Sequence, residues 1–323
     1  MVNRFHDFPE DILREILEVA AHDGGELNWA CALVSKKVQG WVERILYEDI
    51  VVTSGYKMLK LHRTQLNHPS KPPRFFQTVV KGLHFDRKQA SFPEACDIVS
   101  ACTSVVRLTV NVGSLTEFSH GMDGNLQPKR IHLPILMLLV RRDLELSFTS
   151  PRSPGTLRAV FQNVTHLELD WTFFMKDLSW ETFSLLSSLT HFSLSTAESL
   201  HHVYVFDSAK RNLVLAAPHF PSALIACIFY IPKFSVLSIA RQQAEVNLVA
   251  SLDGRIVVAV DEGYYRTMLE LGEKGVWLVR DAIWVAQRGG NNAMHLQDAE
   301  EALWRRAEAK ISERRQRTKI ALS

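Results

Sequence analysis

Few residues in this sequence stand where their types and spacing could do chemistry. The pair His201-His202 could ligate a metal, Cys96 and Cys102 could supply thiolates, and Asp261-Glu262, in the stretch VDEGYY, could handle a proton. Each lacks its second half. No Cys or further His lies at a helical or hairpin interval from His201-His202, so a loop pair is expected there. Cys96 and Cys102 fall six apart on a helix-like segment, where free cysteine serves as a small apolar residue. The adjacent carboxylates read as a solvated strand end or turn, because no second pair is placed near them. GxSxG elbows, phosphate-binding loops, GxGxxG after a strand and HExxH are all absent. The expectation is a non-enzyme with no cofactor and no metal ligands.

Composition narrows the class further. The chain has 323 residues, 46% of them apolar and 22% charged, with a net charge of +2. That suits one large globular domain or two to three smaller ones. Near-neutral charge gives no field to draw nucleic acid or an anionic membrane. The four cysteines, Cys31, Cys96, Cys102 and Cys227, are scattered without a CxxC and fit a reducing compartment. The opening MVNRFHDFPED has no apolar core of a secretion signal. SALIACIFYIPKFSVLSIA (222–240) approaches the length of a membrane span, but Pro232 and Lys233 split it, so two buried strands around a proline turn are expected. The sequon Asn163-Val164-Thr165 lies in an expected strand and reads as chance. A soluble protein of the cytoplasm or nucleus follows, with no membrane and no nucleic-acid partner.

The elements that must position any function begin at once. In FPEDILREILEVAA, Pro9 suits a first helical turn and Glu10 and Asp11 complement its positive end. Ile12, Leu13, Ile16, Leu17 and Ala20 recur at helical steps, and Gly24-Gly25 stops the helix. ELNWACALVSK and KVQGWVERILYEDI predict a second and a third helix. Three helices in some forty residues cannot bury so much apolar surface among themselves, which implies a partner surface.

Those residues resemble the F-box. Pro9, Glu10, Ile12, Leu13, Ile16 and Leu17, then Leu33, Val34, Ser35 and Lys36, then Trp41, Leu46, Tyr47 and Ile50 match its elements in order. Phe8 stands where Leu is usual, and Trp41 falls five residues after Lys36. The resemblance implies docking onto a Skp-type adaptor and, through it, a cullin–RING ubiquitin ligase. Pro9, Ile12, Leu13, Ile16, Leu17, Leu33, Val34, Trp41 and Tyr47 are then the candidate adaptor interface. The same stripe must also hold the three helices together, and the pattern does not divide the residues between the two tasks.

Beyond the polar, proline-rich NHPSKPPR (67–74) the pattern turns to short strands with an aliphatic-x-x-aliphatic-x-aliphatic signature. Val80, Leu83 and Phe85 give one, and Val105, Leu108 and Val110 another. Val164, Leu167 and Leu169 give a third, and Leu189, Phe192 and Leu194 a fourth. Leu83 to Leu108 spans 25 residues, as does Leu167 to Phe192, a period within the range of leucine-rich repeats. RDLELSF (142–148), ALIACIFYI (223–231) and GRIVVAV (254–260) are further strand candidates at looser spacing. SFPEACDIVSACTS and SWETFSLLSSL predict intervening helices. An unrelated α/β domain with alternating strands and helices is the competing architecture. Turn formers crowd 113–130 and 147–155, the first either a binding loop or disordered.

Near the C-terminus, GVWLVRDAIWVAQ (275–287) predicts an amphipathic helix. DAEEALWRRAEAKISERRQRTK predicts another, with Ala299, Leu303, Ala307 and Ile311 at four-residue steps and a basic end. Together they are expected to close the open end of the stack. The fold expected is therefore mixed α+β or α/β, in four segments. These are an F-box-like helical unit (1–52), a linker or connecting helix (53–74), an irregular leucine-rich-repeat-like array (75–265) and a helical cap with a basic tail (266–323). The function expected is a non-catalytic adaptor recruiting a protein substrate, with a plain interaction scaffold or an unrecognised α/β enzyme as the alternatives.

Overall fold

Short strands repeat their apolar pattern along the chain, and in the computed structural model each lies beside the one before it. The structure describes residues 8–21, 28–67, 71–72, 74–85, 93–110, 126–134, 139–140, 145–146, 148–150, 153–171, 178–196, 203–231, 247–261, 277–280 and 293–322. The fold is mixed helix and strand, built on one parallel sheet. Its first strands are β1 (Asp49–Val52), β2 (Gly82–Phe85), β3 (Arg107–Val110) and β4 (Arg130–Pro134). Two small antiparallel ribbons follow, β5 (Leu139–Val140) with β6 (Glu145–Leu146) and β7 (Thr149–Ser150) with β8 (Ser153–Leu157). The sheet resumes with β9 (His166–Trp171), β10 (His191–Thr196), β11 (Ala226–Ile231), β12 (Ile256–Asp261) and β13 (Trp277–Arg280). Among the described residues its nine strands stand in chain order.

The apolar positions fall in register. Leu83 lies opposite Leu108, and Leu167 opposite Phe192. Ile131, Cys227 and Ile256 continue the same row, at chain spacings between 23 and 36 residues. In such an order the connections return over the same face of the sheet, and the described crossover helices gather on one face. Helices α3 (Gly55–Asn67), α4 (Phe75–Val79), α5 (Pro93–Ala101) and α6 (Val203–Ala216) lie there, with 3-10 turns at Ala159–Phe161 and Glu181–Leu185. Met58 and Leu61 of α3, Ile98 and Val99 of α5, Phe161, Phe183 and Phe206 pack with the strand residues into one continuous core. Fully buried Asn212 pins α6 to the chain before Trp180, its Oδ1 accepting from Leu178 N at 2.9 Å.

The N-terminal unit holds α1 (Glu10–Ala21), a 3-10 turn (Trp29–Leu33) and α2 (Lys36–Leu46). The second predicted helix is thus a short turn. Asn28 caps its start through Ala30 N at 3.1 Å, and Ser35 already caps α2 through Val38 N at 3.2 Å, which leaves no room for an α-helix between them. The third predicted helix ends at Leu46, and the Asp49–Val52 segment instead pairs with β2. A boundary after residue 52 therefore leaves the first strand of the sheet with the helical unit and parts it from its partner β2. Within the expected link, Lys71 pairs with Glu43 and lies 4.7 Å from the rings of both Tyr47 and Phe75.

Three further expectations change. Of GVWLVRDAIWVAQ, residues Trp277–Arg280 form the strand β13 and not a helix, because the edge of β12 offers a ladder of backbone partners; 281–287 lie outside the described residues. SWETFSLLSSL makes a single 3-10 turn. The final helix α7 (Ala293–Leu322) does not close an end of the stack but lies on a face of the sheet. No described helix is long and apolar enough to cross a membrane.

Candidate functional site

Alternation along each strand turns every second side chain away from the helix-covered core. The chemistry of that second face changes across the sheet. From β1 to β10 it carries Asp49, His84, Arg107, Thr109, Arg130, His132, His166, Glu168, Asp170, His191, Ser193 and Ser195. On β11 and β12 it carries Ala226, Ile228, Tyr230, Val257 and Ala259, and these pack with Leu303, Trp304, Ala307 and Ile311 of α7.

Helix α7 crosses the strands. Arg130 on β4 meets Glu300 at 3.5 Å and Glu301 at 3.2 Å, His191 on β10 meets Glu308 at 2.7 Å, and Arg314 donates to the Ile256 carbonyl on β12 at 2.6 Å. The 14 residue steps from Glu300 to Arg314 rise about 21 Å along a helix. Four steps between strands 4.7–4.9 Å apart span about 19 Å. The two lengths agree, so the helix axis lies nearly square to the strands. The stripe Leu303, Ala307 and Ile311, legible in the sequence, is the side it buries.

At the middle of the crossing His166 and His191 stack with centroids 4.3 Å apart and planes 8° from parallel, and Trp304 stands edge-on to both. Burial, then the neighbouring His191 and Arg130, pushes the His166 imidazole down to about 3. His191 is lowered too, chiefly by burial, against the opposing pull of its Glu308 hydrogen bond. Both rings are therefore neutral at physiological pH. Beyond Trp304 the face opens as a cleft with a cavity of about 100 Å³ over β1 to β9, reached by His84, Arg107, Thr109, His132 and Glu168. Asp49 and Arg107 join across its floor, both carboxylate oxygens 2.6 Å from Nη2.

One group on this face has the donors for a metal. The ligand atoms of His132, Glu168 and Asp170 all lie within 4.8 Å of one another, and His132 Nε2 pairs with Asp170 Oδ2 at 2.8 Å. None of the three was a candidate from the sequence. The readable signal was the polar residue between the aliphatics in IHLP and HLELDW, but only in-register pairing brings those residues together. The residues singled out by type fare differently. His201-His202 and Glu262 lie outside the described residues. Cys102 and Cys227 are buried in the core, and burial pushes the Cys102 thiol up to about 12 and raises Cys227 as well. Of 113–130, residues up to 125 are outside the described set, and 126–130 lead into β4. Arg314, part of the basic tail, is turned inward onto the sheet and its guanidinium is lowered by burial.

A second candidate surface lies on the N-terminal unit. Leu17, Ala21, Cys31, Val38, Val42 and Leu46 form its own small core. Ile12, Ile16, Leu33 and Val34 are 40%, 46%, 85% and 62% exposed, and Phe8, Val19 and Trp29 join them at the surface. Pro9 is exposed and Leu13 half-buried. Leu17 points inward; Trp41 is partly buried against that core. Tyr47 faces α4, edge-on to Phe75 and Phe76, and also meets Trp29 edge-on. A Lys37–Glu10 ion pair draws the first turn of α2 beside the first turn of α1, so Val34 and Ile12 flank the same junction. Comparison with protein-family models, with curated proteins and with solved structures finds no match to this chain.

Proposed function

We propose that the chain is a non-catalytic adaptor, the substrate-recognition subunit of a Skp–cullin–RING ubiquitin ligase, with an F-box-like N-terminal unit and a leucine-rich-repeat-like array. The observation that carries this reading is the split in α1 and its neighbours. One set of apolar residues fills the unit's own core, while Ile12, Ile16, Leu33 and Val34 remain in solvent. Apolar side chains concentrated on one small helical unit are the mark of a docking surface. The array supports the second half of the proposal, since parallel strands in chain order present a broad open surface. Its polar face beside α7, over β1 to β4, is the part free to take a protein substrate. The contribution is proximity: a tethered substrate presents its lysines to an E2-bound ubiquitin at a high effective concentration.

The test is co-expression with a Skp-type adaptor, comparing the parent with an Ile12→Asp, Ile16→Asp variant that keeps the parent's melting temperature. Binding by the parent and its loss in the folded variant supports the reading. A folded parent that does not bind removes it.

A second reading, an interaction scaffold whose helical unit is only an end cap, is favoured by the Tyr47–Phe75–Phe76 ring cluster that fastens the unit to α4 of the array. It requires that removal of residues 1–46 unfold the array, whereas an adaptor tolerates that deletion.

A further inference from the structure

We propose that His132, Glu168 and Asp170 bind one divalent zinc ion on the polar face of the sheet. In-register pairing sets His132 of β4 opposite Glu168 of β9, and Asp170 follows two residues along the same strand on the same face. His132 and Asp170 are 8% and 3% exposed. Two carboxylates held this close with little water repel each other. A divalent cation held between them reduces that repulsion. One imidazole nitrogen and two carboxylate oxygens are a donor set that zinc accepts, and a zinc ion with three protein ligands keeps a fourth position open. Tetrahedral bonds of about 2.1 Å set the donors about 3.4 Å apart. The group's ligand atoms range from the 2.8 Å His132–Asp170 contact to the 4.8 Å outer bound, so side-chain rotation closes the shell. His132 then offers the Nε2 lone pair, its proton carried on Nδ1.

A second observation points to the same place. Ser193 of β10 lies in register beside Glu168, is 2% exposed, and its Oγ makes no hydrogen bond among the described residues. A hydroxyl buried in that way costs free energy. Water held on the ion's fourth position beside Glu168 supplies the missing partner. The cavity under Trp304, which His132 and Glu168 both line, gives that position its opening. Nothing here depends on the adaptor reading.

The full chain, stripped with a chelator, is titrated with Zn²⁺ and separately with Co²⁺. The expected result is one equivalent per chain, with the intense visible absorption of four-coordinate cobalt. Glu168→Gln, which leaves the His132–Asp170 pair intact, weakens binding at least about tenfold, and His132→Ala abolishes it. A His201→Ala, His202→Ala variant binds as the parent does. Absence of stoichiometric binding, equal affinity in Glu168→Gln, or loss in the His201/His202 variant overturns the proposal.

Discussion

Asp49 reaches over Gly82 to hold Arg107, with both carboxylate oxygens 2.6 Å from Nη2. The three stand in register on β1, β2 and β3, and the glycine is the space through which the ion pair passes. A Cβ built on Gly82 would lie 1.6 Å from Asp49 Oδ1. Gly82→Ala should therefore displace the carboxylate and destabilise the fold by about 1–3 kcal/mol in urea unfolding. The cause is separable. In an Asp49→Ala background the same substitution should cost under about 0.5 kcal/mol, and an unchanged cost there would show that the clash is not with Asp49.

Trp304 is the anchor of α7, 5% exposed between the histidine stack and the apolar strands. Trp304→Ala should cost about 3–5 kcal/mol. Limited proteolysis should then cut within 293–322 before the sheet opens. Exposed Arg315, eleven residues on, is the control: Arg315→Ala should change stability by less than about 0.5 kcal/mol.

Acid should loosen the same contact. His166 titrates near 6.5 when exposed and near 3 when folded, so the unfolded chain binds the extra proton between those values. Stability attached to this group is complete above pH 6.5 and falls progressively toward pH 3. Protonation there would place a charge beside His191 and Arg130, with Glu300, Glu301 and Glu308 of α7 facing it. Unfolding free energy measured at pH 7.5, 6.5 and 5.5 should decline less steeply in His166→Gln than in the parent. Parallel slopes would remove His166 as the cause.

Buried thiols make a slower clock. Burial raises Cys102 to about 12 and raises Cys227 as well, so neither offers thiolate at neutral pH while the chain is folded. Half-buried Cys96 should be alkylated first. Labelling of Cys102 and Cys227 should follow the global unfolding rate as denaturant is added; rapid native labelling of either would contradict their burial.

Leu17 and Ile16 are neighbours in sequence with opposite duties. Leu17→Ala should cost the helical unit about 2–4 kcal/mol, because Leu17 packs on Val38, Val42 and Leu46. Ile16→Asp, 46% exposed at the parent residue, should leave the melting curve within about 0.5 kcal/mol. A large loss of stability in Ile16→Asp would place that residue in the unit's core.

Much of the architecture was legible because it rests on local periodicity. The aliphatic triplets around Leu83, Leu108, Leu167 and Phe192 each marked a strand, and equal spacing made them register partners. Helical steps in Ile98–Val99 and in Leu303–Ala307–Ile311 marked α5 and the buried side of α7. Local pattern misled where an apolar run was short. Trp277–Val279 fits a helix turn as well as a strand, and only the open edge of β12 decides for the strand.

By itself, then, the sequence determined which residues turn inward in the aliphatic-triplet strands, α5 and α7, since that follows from bond geometry and solvent avoidance within a few residues; on α1 it left Ile16 and Leu17 undivided. The partner of each inward face was a tertiary decision. The stripe on α7 says that something covers it, but not whether that is an end of the stack or the sheet's second face. The apolar Ala226, Ile228 and Tyr230 on one flank, with Arg130 and His191 on the other to meet its glutamates, chose the face. The same holds for His132, Glu168 and Asp170. Thirty-six residues separate the first from the second, no interval in the chain relates them, and only the parallel pairing of β4 with β9 makes them neighbours.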